Sequence, residues 1–409
     1  MAELLVFDTP VARVAKPRIT YMASYPPREC GIATFTKDLV EAVDRTYPGN
    51  PGRIVALNES QGTYRYGPEV KFAVTVDDLD SYREAAHYVN RSKAELLCIQ
   101  HEYGIFGGEH GENIFAFLDV LQKPLVITLH TVLPEPGDHL RRVTRELVAR
   151  ADATVVLARK ALEILARDYD VCDASVRYIP HGVPNVRKLP ASSFKSILGL
   201  EGRFTVSTFG LINPGKGIEY AIRALPRVVE RYPSVLYLVL GETHPGVRKH
   251  EGENYRNYLH SLVVELGLQK HVKFNNRYLS YNEIVSYLMA TNIYLVPYLN
   301  PNQIASGTLA YAVGAGRAVV STPFIYAQEL LADGRGVLVP FRDSDAIADA
   351  LDQLIGDPRR RAEMAMAAYA YGRSMTWHNV AREYMQLFCS ILGIDLEVAL
   401  AVEKQAAAL

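Results

Sequence analysis

Val296-Pro297-Tyr298-Leu299-Asn300-Pro301-Asn302-Gln303-Ile304-Ala305-Ser306-Gly307-Thr308-Leu309-Ala310-Tyr311-Ala312-Val313-Gly314-Ala315-Gly316-Arg317-Ala318-Val319-Val320-Ser321-Thr322 reads as strand, loop, short helix and strand. The loop ends in Ser306-Gly307-Thr308, at the start of an Ala-rich helix. A helix start carries unpaired backbone N–H groups and a partial positive charge, so it suits a phosphate. Gly307 lets a ligand approach the main chain closely. An ordinary turn capped by Ser306 or Thr308 has the same sequence, so the segment gains meaning only from its surroundings.

Outward from this segment, short apolar runs alternate with helical patterns in both directions. In the first half, strands are expected at 19–23, 53–57, 72–76, 96–100, 125–130, 154–157 and 176–179. In the second half they are expected at 204–209, 235–240, 272–274, 292–297, 318–321 and 336–339. Many are continuous β-branched runs, as strands buried on both faces require. Helical patterns fall between them, at 35–43 and 140–151 for example, and a long helix at 377–392 closes the chain. This is the alternation of parallel α/β sheets. It pauses at 181–200, where Pro184, Pro190, Ser192 and Ser193 follow no period, and a linker is expected there. The expected architecture is therefore α/β, with two doubly wound Rossmann-like domains facing across a cleft. Ligands in such sheets bind beyond the carboxyl ends of the strands.

Bulk properties agree with this reading. A chain of 409 residues exceeds one ordinary core. Apolar content of 49% with 22% charged residues describes a soluble globular protein. A formal net charge of −1 argues against a broad nucleic-acid footprint. Cys30, Cys98, Cys172 and Cys389 lie far apart without zinc or dithiol spacing, which fits a reducing cytoplasm. Residues 1–16 read as a loose leader; with Glu3 and Asp8 in it, no signal peptide is expected. No apolar run reaches ~18 residues, so no membrane span is expected.

Several strand ends carry chemistry-bearing residues. Gly31 opens the helix that follows Tyr25-Pro26-Pro27-Arg28-Glu29-Cys30, and brings backbone N–H groups towards a ligand. Gln100-His101-Glu102-Tyr103-Gly104-Ile105-Phe106-Gly107-Gly108-Glu109-His110 reads as a mobile ligand loop. It lacks the helical His-Glu-x-x-His spacing, so no metal is expected. His130 ends a strand and suits a sugar hydroxyl. Phe209-Gly210-Leu211-Ile212-Asn213-Pro214-Gly215-Lys216-Gly217 approaches a nucleoside-triphosphatase phosphate loop. Gly217 stands where that loop needs a hydroxyl for magnesium, which argues against it. Lys216 on a glycine loop still suits the charge of a phosphate or leaving group. No Gly-x-Gly-x-x-Gly follows the first strand of either half, which argues against a dehydrogenase.

Together these stations resemble the retaining glycosyltransferases of the GT-B fold, family four (group 1 type), over roughly residues 18–392. The resemblance rests on the Gly31 loop, His130, Pro180-His181-Gly182-Val183, the Gly210–Gly217 loop with Lys216, the opening segment and the Trp377 helix. It implies an N-terminal acceptor-side domain (1–183), a linker (184–200), a donor-side domain (201–376) and C-terminal helices (377–409) crossing back to the first domain. It also implies transfer of a sugar from a nucleotide sugar or other activated donor to a carbohydrate or other hydroxyl acceptor, without metal or cofactor. By this resemblance Gly31 approaches the donor diphosphate and His130 the donor sugar. Lys216 neutralises the leaving phosphate beside Gly210, and Ala305 to Thr308 offer helix-start amides. Asn276, Arg277 and Tyr278 fall where the family seats the base or the cleft wall.

Three positions depart from the family pattern. Its two signature glutamates, separated by seven residues, are Gln303 and Tyr311 here, and its arginine beside the phosphates is Leu211. Gln303 hydrogen-bonds but cannot stabilise positive charge, and Tyr311 cannot grip two ribose hydroxyls with a carboxylate. Arg277 and Arg28 are candidates for the missing cation. The departures leave two further readings open: an enzyme using phosphate or a sugar phosphate, such as a glycoside phosphorylase, and a non-catalytic GT-B sugar-binding or regulatory protein.

Overall fold

The computed structural model of the protein describes residues 16–59, 64–172, 174–187, 189 and 191–396. The expected leader up to residue 15 and the Ala-rich tail after Val398 lie outside them. The chain divides into two compact units. One contains the described residues up to Gly182 together with those from Trp377 onward; the other is Val183–Thr376.

The first unit is built on a parallel seven-stranded sheet ordered β3-β2-β1-β4-β5-β6-β7. Its strands are β1 (Ile19–Ala23), β2 (Arg53–Asn58), β3 (Val70–Thr75), β4 (Leu96–His101), β5 (Leu125–Leu129), β6 (Ala153–Val156) and β7 (Val176–Tyr178). The second holds a parallel six-stranded sheet ordered β10-β9-β8-β11-β12-β13. Here the strands are β8 (Phe204–Phe209), β9 (Val235–Leu240), β10 (Val272–Asn275), β11 (Ile293–Val296), β12 (Ala318–Ser321) and β13 (Val337–Leu338). The β-branched runs explain the layering. Every residue of β1, β4, β5, β9, β11 and β12 is buried, whereas the edge strands β3 and β7 alternate or face solvent. Amphipathic helices supply the covering layers; Ile222, Leu225, Leu259 and Leu351 pack on Val206 and Val239 in the second unit.

The Trp377–Ile391 helix completes the first unit. Tyr384 and Phe388 are buried. The Tyr384 hydroxyl shares a hydrogen bond of 2.9 Å with Thr128 Oγ1, and the Phe388 ring meets Tyr21 at 6.4 Å. Trp377 lies so close to Gly182 that a Cβ there would stand 2.1 Å from the indole. The Gly182→Ala variant is therefore expected to lose about 1–3 kcal/mol or more of stability through overpacking. Thermal unfolding of the purified variant checks this.

Part of the expected 184–200 linker is helical. Ala191–Leu198 form a helix within the second unit, with Phe194 buried. Lys195 anchors it by donating to Arg203 O at 2.7 Å and Asn292 Oδ1 at 2.6 Å. Eight residues bounded by Pro190 and Gly199 hold two turns, too few for a visible period. The 100–110 segment, expected as a ligand loop, has local structure of its own. It winds into tight turns at Tyr103–Ile105 and Glu109–Ile114 and buries Tyr103, Ile105 and Phe106. Among the described residues no helix is long and apolar enough to cross a membrane.

Candidate functional site

Both sheets reverse their strand order beside the first strand, between β1 and β4 and between β8 and β11. In an open α/β sheet the crevice beyond the carboxyl ends at such a point is where ligands bind. In the second unit, β8 runs into Gly210 and β11 into the Pro297–Ser306 loop. The opening stretch of sequence therefore stands at the switch point.

Most of the residues singled out in that half converge there. Gly210 takes a φ of +126°, and a Cβ on it would come within 3.2 Å of Thr308 Cγ2 and 3.9 Å of Lys216 Nζ. Lys216 ends a tight turn, Pro214–Lys216, and its ammonium sits 3.8 Å from the centre of the Tyr298 ring. It has no ion-pair or hydrogen-bond partner among the described residues. Tyr298, buried to 1%, is a member of the site that the sequence reading passed over; its hydroxyl shares a 2.7 Å hydrogen bond with Thr308 Oγ1. Ser306 caps the Gly307–Gly314 helix by accepting the Leu309 N–H at 3.3 Å. The amides of Gly307 and Thr308 have no partner among the described residues. At the other end of this helix the buried Arg317 donates to the carbonyls of Ala315, Met289 and Thr291, at 3.0, 3.3 and 3.1 Å. It satisfies loose helix-end carbonyls and holds the helix in place.

The remaining donor-side candidates have other partners. Gln303 turns its amide back on its own loop, donating to Ala305 O at 3.0 Å. Tyr311 is buried to 6% against Phe209 and Tyr281. Arg277 is ion-paired with Glu283, which the guanidinium and Ser280 hold down at a pKa of about 2. That carboxylate belongs to a capping box, Ser280-Tyr281-Asn282-Glu283, at the next helix start. The exposed Arg277 guanidinium is thus engaged at this helix start. Arg28 likewise pairs with Glu59 at 2.8 Å.

The first unit presents its own edge. Gly31 is the exposed first residue of the Gly31–Thr46 helix, and a Cβ on it would meet nothing within 4 Å. One turn on, Phe35 meets His130 at 4.7 Å, His181 at 4.9 Å and Trp377 at 5.2 Å. Three of the sequence landmarks therefore surround one phenyl ring. Gln100 donates to Cys98 Sγ at 3.3 Å and turns its Oε1 to His130 Nε2 at 3.0 Å. The proton of His130 accordingly sits on Nε2, and Nδ1 keeps its lone pair. Burial, helped by His181 and His101, pushes the imidazole down to a pKa of about 3, so it stays neutral. Beside it, Glu102 accepts the Thr131 hydroxyl at 2.6 Å, and burial raises its pKa.

One group offers metal-ligand atoms. Glu109, His110 and His139 bring donors within 4.8 Å of one another. Glu109 is 69% exposed, and His139 gives its other nitrogen to Glu112 at 2.9 Å. Such exposed acid–imidazole groups also occur as plain ion-pair clusters.

Two family models cover the chain in succession: Glycosyltransferase Family 4 over residues 31–187 and Glycosyl transferases group 1 over residues 203–357. The chain belongs to this glycosyltransferase family, and its two doubly wound units have the GT-B fold. A D-inositol 3-phosphate glycosyltransferase of Corynebacterium urealyticum is 27% identical over 271 residues, 62% of this chain and 62% of the relative's own length. A phosphatidyl-myo-inositol mannosyltransferase of Mycolicibacterium smegmatis is 24% identical over 88% of this chain and 84% of its own. Among solved structures, sucrose-phosphate synthase from Thermosynechococcus elongatus superposes with a TM-score of 0.73 at 16% identity, over 92% of this chain and 99% of that one. Anabaena Alr3699/HepE in complex with UDP and glucose gives 0.69 at 16% identity, over 91% and 100%.

Proposed function

We propose that the protein is a retaining glycosyltransferase that moves a sugar from a nucleotide-sugar donor to a hydroxyl of a carbohydrate or other acceptor. One arrangement carries the reading: an unpaired Lys216 ammonium beside Gly210 and Thr308, with two unpaired helix-start amides, at a strand-order switch point. These groups suit a diphosphate whose negative charge grows as it leaves. The bond from the sugar C1 to the phosphate oxygen breaks, and Lys216 with the Gly307 and Thr308 amides takes up the charge. The acceptor oxygen bonds to C1 on the same face, and its proton passes to the departing phosphate oxygen. On the first unit, His130, neutral and with an Nδ1 lone pair, is suited to accept a hydrogen bond from a sugar hydroxyl. The Anabaena neighbour binds UDP and glucose, and the curated relatives are named for inositol phosphate and phosphatidyl-inositol. Uridine nucleotides and phosphorylated polyols are therefore the first donor and acceptor classes to try.

Tyr311 favours a second reading. Packed into the core where the family holds ribose, it offers no grip on a nucleoside, which suits a phosphate-using enzyme such as a glycoside phosphorylase. Calorimetric titration with UDP, GDP and ADP, and separately with inorganic phosphate and sugar 1-phosphates, discriminates. Nucleotide binding is the expected result. Binding of phosphate or sugar phosphates alone would overturn the transferase reading in favour of phosphorolysis, and binding of neither would leave a non-catalytic protein.

A further inference from the structure

The loop after β9, Gly241-Glu242-Thr243-His244-Pro245-Gly246, lies against the Lys216 loop. Ile212 N–H donates to Glu242 O at 2.8 Å, and His244 N–H donates to Ile212 O at 2.8 Å. This parallel bridge between Ile212 and Thr243 carries the pairing of β8 and β9 past their strand ends. The two loops also touch at their glycines: a Cβ on Gly241, where φ is +127°, would stand 2.1 Å from Gly210 O. His244 is therefore placed beside the same turn that carries Lys216.

The loop is held by an elaborate cage. Arg256, 5% exposed, donates to Gly241 O at 3.0 Å, Thr243 Oγ1 at 3.1 Å and Glu253 Oε2 at 3.2 Å, and also to Asn276 Oδ1. Thr243 in turn donates to Glu253. Tyr255, from the same helix as Arg256, accepts the Ile218 N–H at 3.1 Å and donates to Glu219. It thereby pins the helix start that follows Lys216-Gly217. Neighbouring residues of one helix thus fix both loops relative to each other.

The cage delivers an imidazole in one protonation state. His244 Nδ1 accepts the Gly246 N–H at 3.1 Å, so the ring proton sits on Nε2. Nε2 has no partner among the described residues, and the residue is exposed. Partial burial of the ring and then the Lys216 charge lower its pKa. The family's second phosphate cation is Leu211 in this chain, and Arg277 and Arg28 are paired elsewhere.

We propose that His244 donates its Nε2–H to the donor's leaving phosphate beside Lys216, supplying the second contact that Leu211 cannot make. This rests on the phosphate-site reading above. The test compares wild type, His244→Asn, His244→Gln and Lys216→Ala by calorimetry with UDP, GDP and inorganic pyrophosphate. Asparagine keeps an acceptor for the Gly246 amide but removes the distal donor, and glutamine restores one. His244→Asn is expected to weaken binding about tenfold, as loss of a charge-assisted hydrogen bond does, with partial recovery in His244→Gln and an unchanged melting temperature. If Lys216→Ala weakens binding and His244→Asn does not, the His244 assignment falls while the phosphate site stands. If wild type binds none of the three probes, both fall together.

Discussion

Lys216→Ala is expected to lower kcat on the order of 10²–10³-fold while the KM for the donor changes far less. The ground-state donor already carries its diphosphate charge, so a cation that merely bound it would appear in KM. Charge that develops only as the C1–O bond breaks is worth more to a preorganised ammonium than to water. The environment of Lys216 fits that role, because among the described residues no carboxylate pairs with it, and Tyr298 sets its position. The structural cost is modest beside the catalytic one, since a partly buried cation–π contact contributes about 1–2 kcal/mol. Steady-state kinetics with the donor found by titration give the answer. A kcat within threefold of wild type would remove Lys216 from the chemistry.

The first unit is expected to lose stability steeply as the pH falls from about 6.5 towards 4. Burial lowers His101 and His130 to pKa values of about 3 and His181 to about 4. The unfolded chain takes up these protons near the ordinary value of 6.5, whereas the folded unit refuses them until far lower pH. The stabilisation is therefore complete above about pH 6.5 and is lost on acidification. At pH 5 this amounts to roughly 2 kcal/mol per histidine, or about 6 kcal/mol for three. Glu102 and Glu383, whose burial raises them above 4.5, act in the opposite direction within this window, because the folded unit takes up their protons before the unfolded chain does. His101 gives a clean control: both ring nitrogens lack partners among the described residues, and the ring stacks on Phe106 at 5.0 Å. His101→Phe is expected to flatten the fall in melting temperature between pH 7 and 5 by about a third. Parallel curves for the two proteins would contradict the account.

Much of this architecture was legible because its signals are local. Buried parallel strands are continuous apolar runs, and all thirteen strands overlap the runs that announce them. Gly210, Lys216 and Ser306–Thr308 lie at strand ends, where the topology itself gathers ligand groups. What escaped lies in pairings across sequence. The Arg256 cage joins residues 241, 243, 253 and 276, which share no period. Tyr298 and His244 belong to no sequence motif, and only the folded loops bring them beside Lys216. Arg277 was readable, since the Ser280-x-x-Glu283 capping box that captures it is a sequence pattern in its own right. Tyr311 was placed by its motif position, but it lies in an Ala-rich helix buried on nearly all sides, where a large aromatic becomes core.

The return of residues 377–391 to the first unit sets a timetable for the ribosome. The second unit is continuous from Val183 to Thr376, so it can close as soon as that stretch has emerged. The first unit, although synthesised earlier, must wait for the last helix to bring Trp377 against Gly182 and Phe35, and Tyr384 against Thr128. The usual order in which the amino-terminal domain folds first is thus inverted. A nascent chain stalled at Thr376 would carry a finished second half and an open first half, its apolar seat for the missing helix exposed to chaperones.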